Sequence, residues 1–187
     1  MMTEKEILRD LLQDFAGSLW WTIHKLSFDA LRWQPDDEAN SIAVTVWHIC
    51  RSFDVLVIKA LQNRPHTEEG WYTAGWAAKT NYDPHGIGFL GWGTLARFTR
   101  AEVDAIPVLT ADELLDYFGQ VKDALDAHLE EMPIESLYQP PVGWPDPSQS
   151  TYQPETAYAC IRAILMDTRE HLGEIKALKA MWERKYG

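Results

Sequence analysis

Residues 154–184, PETAYACIRAILMDTREHLGEIKALKAMWER, decide the fold. Ile161, Leu165, Leu172, Ile175 and Leu178 recur at helical intervals, and the spacing predicts one long helix over this stretch. One line of that helix is not apolar: Asp167, His171 and Glu174 lie between Ile164 and Leu178. Asp167 and His171 are one turn apart, so their side chains leave the same face. A carboxylate set into an apolar face is costly unless it is paired or bound to a metal. The residues alone leave two readings open: two ligands of a cation, or an Asp–His pair and solvent-reaching carboxylates at a groove.

Working outward, three more helices carry the same periodicity. The first is expected over 3–26. Thr3 with Glu6 forms a capping-box pattern, and Ile7, Leu8, Leu11, Leu12, Phe15 and Leu19 make its stripe. The segment 26–37 passes into a polar break ending at Asn40 and Ser41, either of which can cap a second helix over 42–62. Its core stripe is Ile42, Val46, Ile49, Phe53, Leu56 and Ala60. A third helix is expected over 111–131, between the capping pair Thr110 and Glu113 and the stop at Pro133, with Leu114, Phe118, Val121, Leu125 and Leu129 inward. No run of residues alternates convincingly in the manner of a strand. The chain is therefore expected to be all-α: one domain over 1–187, built as an antiparallel four-helix bundle.

The connections are longer than bundle loops usually are. Residues 63–109 hold Trp71, Tyr72, Trp76, Tyr82, Phe89 and Trp92 among many glycines. This composition predicts a packed, irregular cover at one end of the bundle, with a short helix near 94–104. A second, proline-rich connection carries Pro140, Pro141, Gly143, Trp144, Pro145 and Pro147. Long ordered loops serve as lids and binding walls or as plain structural cover and dimer surface. Both readings stand at this point.

Composition excludes several classes. Hydrophobic residues make up 46% and charged residues 24%, a globular mix rather than a disordered one. A formal net charge of −11 without a basic patch argues against nucleic-acid partners and anionic membrane surfaces. No apolar run approaches the roughly 20 residues of a membrane span. The opening residues lack the basic and apolar regions of a signal peptide. Cys50 and Cys160, both in apolar helical stretches, are expected as buried free thiols of a cytoplasmic protein.

On the second helix, His48 shares a line with Thr45, Ser52 and Lys59 rather than with the apolar stripe. Taken alone it is a surface or cleft-edge histidine. Two segments, however, carry a resemblance. Ser41 to Ile49, SIAVTVWHI, is similar to the start of the second helix of the DinB-like superfamily, and His171 to Leu178, HLGEIKAL, resembles that family's last helix. Leu31 to Pro35, LRWQP, also fits. The resemblance implies a four-helix bundle holding a divalent metal, Zn, Ni or Fe, on three side chains: His48, position 167 and His171. The family pattern has histidine where this chain has Asp167. An aspartate can bind the cation through oxygen, or can instead orient His171 from behind.

By the same resemblance the expected activity is a metal-dependent thiol S-transferase, or a related lyase or hydrolase, acting on a small molecule with a low-molecular-weight thiol. Glu174 (or Glu170) is the candidate general base, and Trp76, Tyr82, His85 and Trp144 are candidate pocket residues. A homodimer is likewise implied. His24, His66 and His128 are read as packing or surface histidines. No G-x-S-x-G, P-loop or dinucleotide fingerprint is present. The competing reading is a non-catalytic dimeric bundle that binds a small apolar ligand or a protein partner. Nine tryptophans suit such contact surfaces.

Overall fold

The computed structural model describes residues 2–187. Its α-helices are α1 (Glu4–Ile23), α2 (Phe28–Arg32), α3 (Ile42–Val55), α4 (Gly70–Thr73), α5 (Trp76–Thr80), α6 (Arg100–Asp104), α7 (Ala111–Glu131) and α8 (Ala157–Tyr186). Short 3-10 turns lie at His66–Glu68, Phe89–Gly91 and Ile134–Tyr138. Among the described residues there is no β-strand, so the all-α class holds.

Local chemistry sets the ends. Thr3 and Thr110 make complete capping boxes with Glu6 and Glu113. Ser41, not Asn40, caps α3 by accepting from the Val44 amide. Thr156 caps α8, which therefore starts after Pro154 and Glu155 and runs two residues past Arg184. The first helix ends at Ile23 rather than Leu26, and Ser27 caps the separate short α2 inside the expected polar break. Beyond Val55 the second long helix widens into a π-helix over Leu56–Leu61. There the Gly143 amide donates to the Ala60 carbonyl at 2.9 Å, tying the proline-rich connection to the widened turn.

The four long helices pack pairwise: α1 on α7 and α8, and α3 on α7 and α8. Phe15, Phe53 and Phe118 meet at the centre with ring centroids 5.5 to 6.4 Å apart. Along α1, Leu8, Leu12, Phe15, Leu19 and Ile23 are buried, whereas Ile7 and Leu11, expected in the stripe, are exposed. Both sit on the solvent edge of the apolar arc.

Cross-links give the helix directions. Lys5 donates to the carbonyls of Glu130 and Met132, and Arg9 pairs with Asp126 at 2.7 Å, so α1 and α7 run antiparallel. Arg51 meets Tyr117 and Gln62 meets His128, so α3 and α7 run parallel. Asp14 lies 3.9 Å from Arg169, and Lys179 reaches the Thr22 carbonyl at 3.0 Å, so α1 and α8 also run parallel. The expected antiparallel arrangement is thus corrected: two of the four neighbouring pairs are parallel. The long connection follows from this. Because α7 lies beside α3 in the same direction, the chain must travel back along roughly 30 Å of helix before α7 can begin.

That return segment is not plain loop. Trp71 is fully buried, its indole donating to the Tyr82 carbonyl, and Trp76 is buried with its indole on Gln120. The short helix expected near 94–104 is confined to α6. No helix of the described residues is long and apolar enough to cross a membrane.

Candidate metal centre

His48 leaves α3 toward α8, where Asp167 and His171 are stacked one turn apart. One donor atom from each of the three lies within 4.8 Å of the others. His48 Nε2 is 3.8 Å from Asp167 Oδ2, and His171 Nε2 is 3.5 Å from the same oxygen. The two imidazoles meet edge to face with centroids 4.8 Å apart. The His48 side chain is 12% exposed, that of His171 22% and that of Asp167 51%, so the group is held on the protein side and open at the carboxylate.

The remaining ring nitrogens are both engaged. His48 Nδ1 is in short contact with the Thr94 carbonyl oxygen, with the Ser52 hydroxyl 3.4 Å away. A carbonyl can only accept, so Nδ1 carries a proton there, and Nε2 is the ring nitrogen that faces Asp167. His171 Nδ1 donates to Glu174 Oε2 at 2.7 Å, which turns Nε2 of that ring toward Asp167 as well. Each imidazole is thus oriented from behind by an oxygen acceptor, as metal-ligating histidines usually are. The polar contact from His48 holds the Asp167 carboxyl below the usual carboxylate range. Partial burial opposes this shift, and the charge of His171 assists it. With both Nε2 atoms deprotonated, two imidazoles and one carboxylate would form a donor set that suits a divalent cation with an open position.

A buried ionic cluster fixes the far side. Arg51, one turn after His48, is 1% exposed. It donates to Glu69 at 2.8 Å, to Asp54 at 3.3 Å, and to the carbonyls of Trp92 and Gly93. Asp54 in turn accepts from the amides of Gly70 and Trp71 and from the Tyr117 hydroxyl, at 2.7 to 2.8 Å. Burial works against the Arg51 charge, but Tyr117, Glu69 and Asp54 outweigh it and raise its pKa. Burial pushes the Glu69 carboxyl up, and Arg51 restrains it. Arg51 thereby anchors the backbone just before Thr94, whose carbonyl orients His48. An Arg and an Asp three apart in an otherwise apolar helix are the signal in the sequence for this cluster. The Thr94 contact is made by backbone and left none.

Of the other candidate residues, Trp144 packs edge to face on Trp92 at 5.3 Å, beside Ser52 and Thr94. Trp76 and Tyr82 pack elsewhere, against Tyr117 and against Trp47 and Trp71. His85 stacks on His66 with centroids 3.6 Å apart, within the return segment. Glu170 lies on the face of α8 toward Leu11 and Arg162. His24 stacks on Trp20, and His128 contacts Gln62. Cys50 and Cys160 are buried and unpaired, and burial raises both thiol pKa values, that of Cys160 to about 12.

Two imidazoles and a carboxylate converging between two long helices, each ring backed by an oxygen acceptor, define a helical protein with a candidate open metal site. Residues 11–175 match the DinB superfamily, and the chain belongs to it. Among solved structures it is similar to a conserved protein from Enterococcus faecalis, with a TM-score of 0.75, 15% identity and 96% of each chain covered. At that identity the likeness is one of fold. No curated protein matches the sequence.

Proposed function

We propose that the protein is a metal-dependent four-helix bundle in which His48, Asp167 and His171 hold one divalent cation, Zn, Ni or Fe. The observation that supports this best is the matched orientation of the two histidines. Thr94 and Glu174 accept hydrogen bonds from the two Nδ1 positions, and both Nε2 atoms turn to one carboxylate oxygen. A simple Asp–His pair needs one oriented imidazole, not two. When bound, the metal supplies Lewis acidity, which favours the deprotonated form of a thiol or water and polarises a carbonyl.

The activity we infer is thiol S-transfer, or a related lyase or hydrolase reaction, on a small molecule in a cytoplasmic setting that keeps Cys50 and Cys160 reduced. Asp167, half exposed, marks the side from which substrate arrives. Glu174 orients His171; to act as general base it must first release that ring. Trp144 forms part of the wall on the His48 side. Protein loaded separately with Zn²⁺, Ni²⁺ and Fe²⁺ should transfer a low-molecular-weight thiol to an electrophile, and metal-free protein and His171→Ala should not. Equal rates with and without metal would overturn the reading.

A second reading keeps the fold and dispenses with catalysis. Leu11, Trp21 and Met166 are 40%, 70% and 57% exposed along the α1–α8 groove, a face suited to a second copy of the chain. Light scattering on wild type and Trp21→Glu tests it. A dimer lost in the variant supports the interface, and a wild-type monomer removes it.

A further inference from the structure

A cavity of about 160 Å³ lies one helical turn from the candidate metal centre. Its floor is Ser52, Val55 and Leu56 on α3 and its π-helical extension, with Ile164 on α8; its roof is Trp92 and Trp144. Ser52 is one turn beyond His48, and Ile164 is one turn before Asp167, so both helices that carry the ligands also carry the cavity. Among the described residues, no ionisable side chain lines it. Its polar members, Ser52 and Thr94, are the two residues that contact His48 Nδ1.

We infer that this cavity binds the apolar part of the substrate: an uncharged aromatic ring, or an alkyl group of similar bulk, joined to a polar end that reaches the metal centre. Size supports the class, because a cavity of about 150 Å³ with an apolar lining holds one benzene ring. Chemistry supports it too. A charged or sugar-bearing group would be desolvated there with few partners, because the lining side chains offer two hydroxyls among aliphatic and aromatic groups. The roof is built for the task. Trp92 and Trp144 meet at 87°, and the Trp144 indole is held by the Tyr152 carbonyl at 2.9 Å. Trp92 is held through its own carbonyl by Arg51. Two rings from separate connections are thus fixed over one space, which a flexible cover would not do.

The inference rests on the metal reading for the polar end but not for the apolar one, and the two can be tested apart. Metal-free protein labelled with ¹⁵N is titrated with toluene, and the indole cross-peaks are assigned by single Trp→Phe substitutions. Shifts at Trp92 and Trp144, absent in Ile164→Trp, are expected. The wild-type titration stands by itself if that variant does not fold. Zn²⁺-loaded protein is then titrated with benzyl mercaptan and with thioglycerol, which share a thiol and differ in the ring. Benzyl mercaptan should bind at least about tenfold more tightly. No response of Trp92 and Trp144 to toluene, or equal affinity for the two thiols, would overturn the inference. A toluene response with no gain in thiol affinity from metal would leave the cavity assignment standing and overturn the metal reading.

Discussion

Glu174 Oε2 accepts a hydrogen bond from His171 Nδ1 at 2.7 Å, while Nε2 of the same ring faces Asp167 Oδ2 at 3.5 Å. The acceptor sits behind the ring and the donor atom points forward. Removing the acceptor leaves His171 free to rotate and to change tautomer. Glu174→Ala should therefore weaken divalent-metal affinity roughly 10–100-fold, and Glu174→Gln, which keeps an acceptor oxygen, should cost less. Competition against a chromophoric chelator measures both. Unchanged affinity in Glu174→Ala would remove the orienting role.

Among the described residues, Arg51 is the only cation in ion-pair contact with Asp54 and Glu69 in their buried cluster, at 3.3 and 2.8 Å. Arg51→Ala leaves two carboxylates without it and should destabilise the protein by about 3–5 kcal/mol. Urea unfolding gives the value. Because Arg51 also holds the Trp92 and Gly93 carbonyls beside Thr94, the same variant should bind metal less tightly even where it remains folded.

Gly143 approaches the π-helix over Leu56–Leu61 so closely that a Cβ there would overlap the Lys59 carbonyl oxygen and lie 2.9 Å from the Asn63 Cα. Gly143→Ala must push the proline-rich connection off the π-helix and break its bond to Ala60. A loss of about 1–3 kcal/mol is expected. Faster proteolytic cleavage within residues 139–153 should accompany it, since Trp144 loses its neighbouring anchor. Cleavage at the wild-type rate would show that the contact is not holding the loop.

His128 is partly buried against Gln62, and burial lowers its pKa from 6.5; Glu131 opposes this and Lys5 adds to it. His66 shifts the same way, through burial and then the stacked His85. As the pH falls, the unfolded chain takes up these protons before the folded one does. Their contribution to stability is therefore complete above about pH 6.5 and is lost as the pH falls through the folded-state values. Melting temperatures measured from neutral pH down to pH 5 should fall, less steeply for His128→Gln than for wild type.

The helices were legible because their signals are local. The capping box at Thr3 starts α1 at Glu4, and the one at Thr110 with the stop before Pro133 places α7 at residues 111–131, as periodicity predicts. Asp167 and His171 were legible for the same reason, being one turn apart on one element. Helix direction was not, since periodicity says which face is buried but not which neighbour lies beside it. The long connection held that information: a crossover is needed only where consecutive long helices run parallel. His48 looked like an edge histidine because its line is polar. The structure covers that line with the Thr94 backbone, a contact between residues 46 apart that no side-chain pattern announces.

The most direct test is the metal content of protein purified without an affinity tag or chelator, wild type beside His171→Ala, by elemental analysis. The account predicts about one divalent metal per chain in wild type and little in the variant. Wild type that holds none after loading with Zn²⁺, Ni²⁺ or Fe²⁺, or a variant that holds as much, would contradict it.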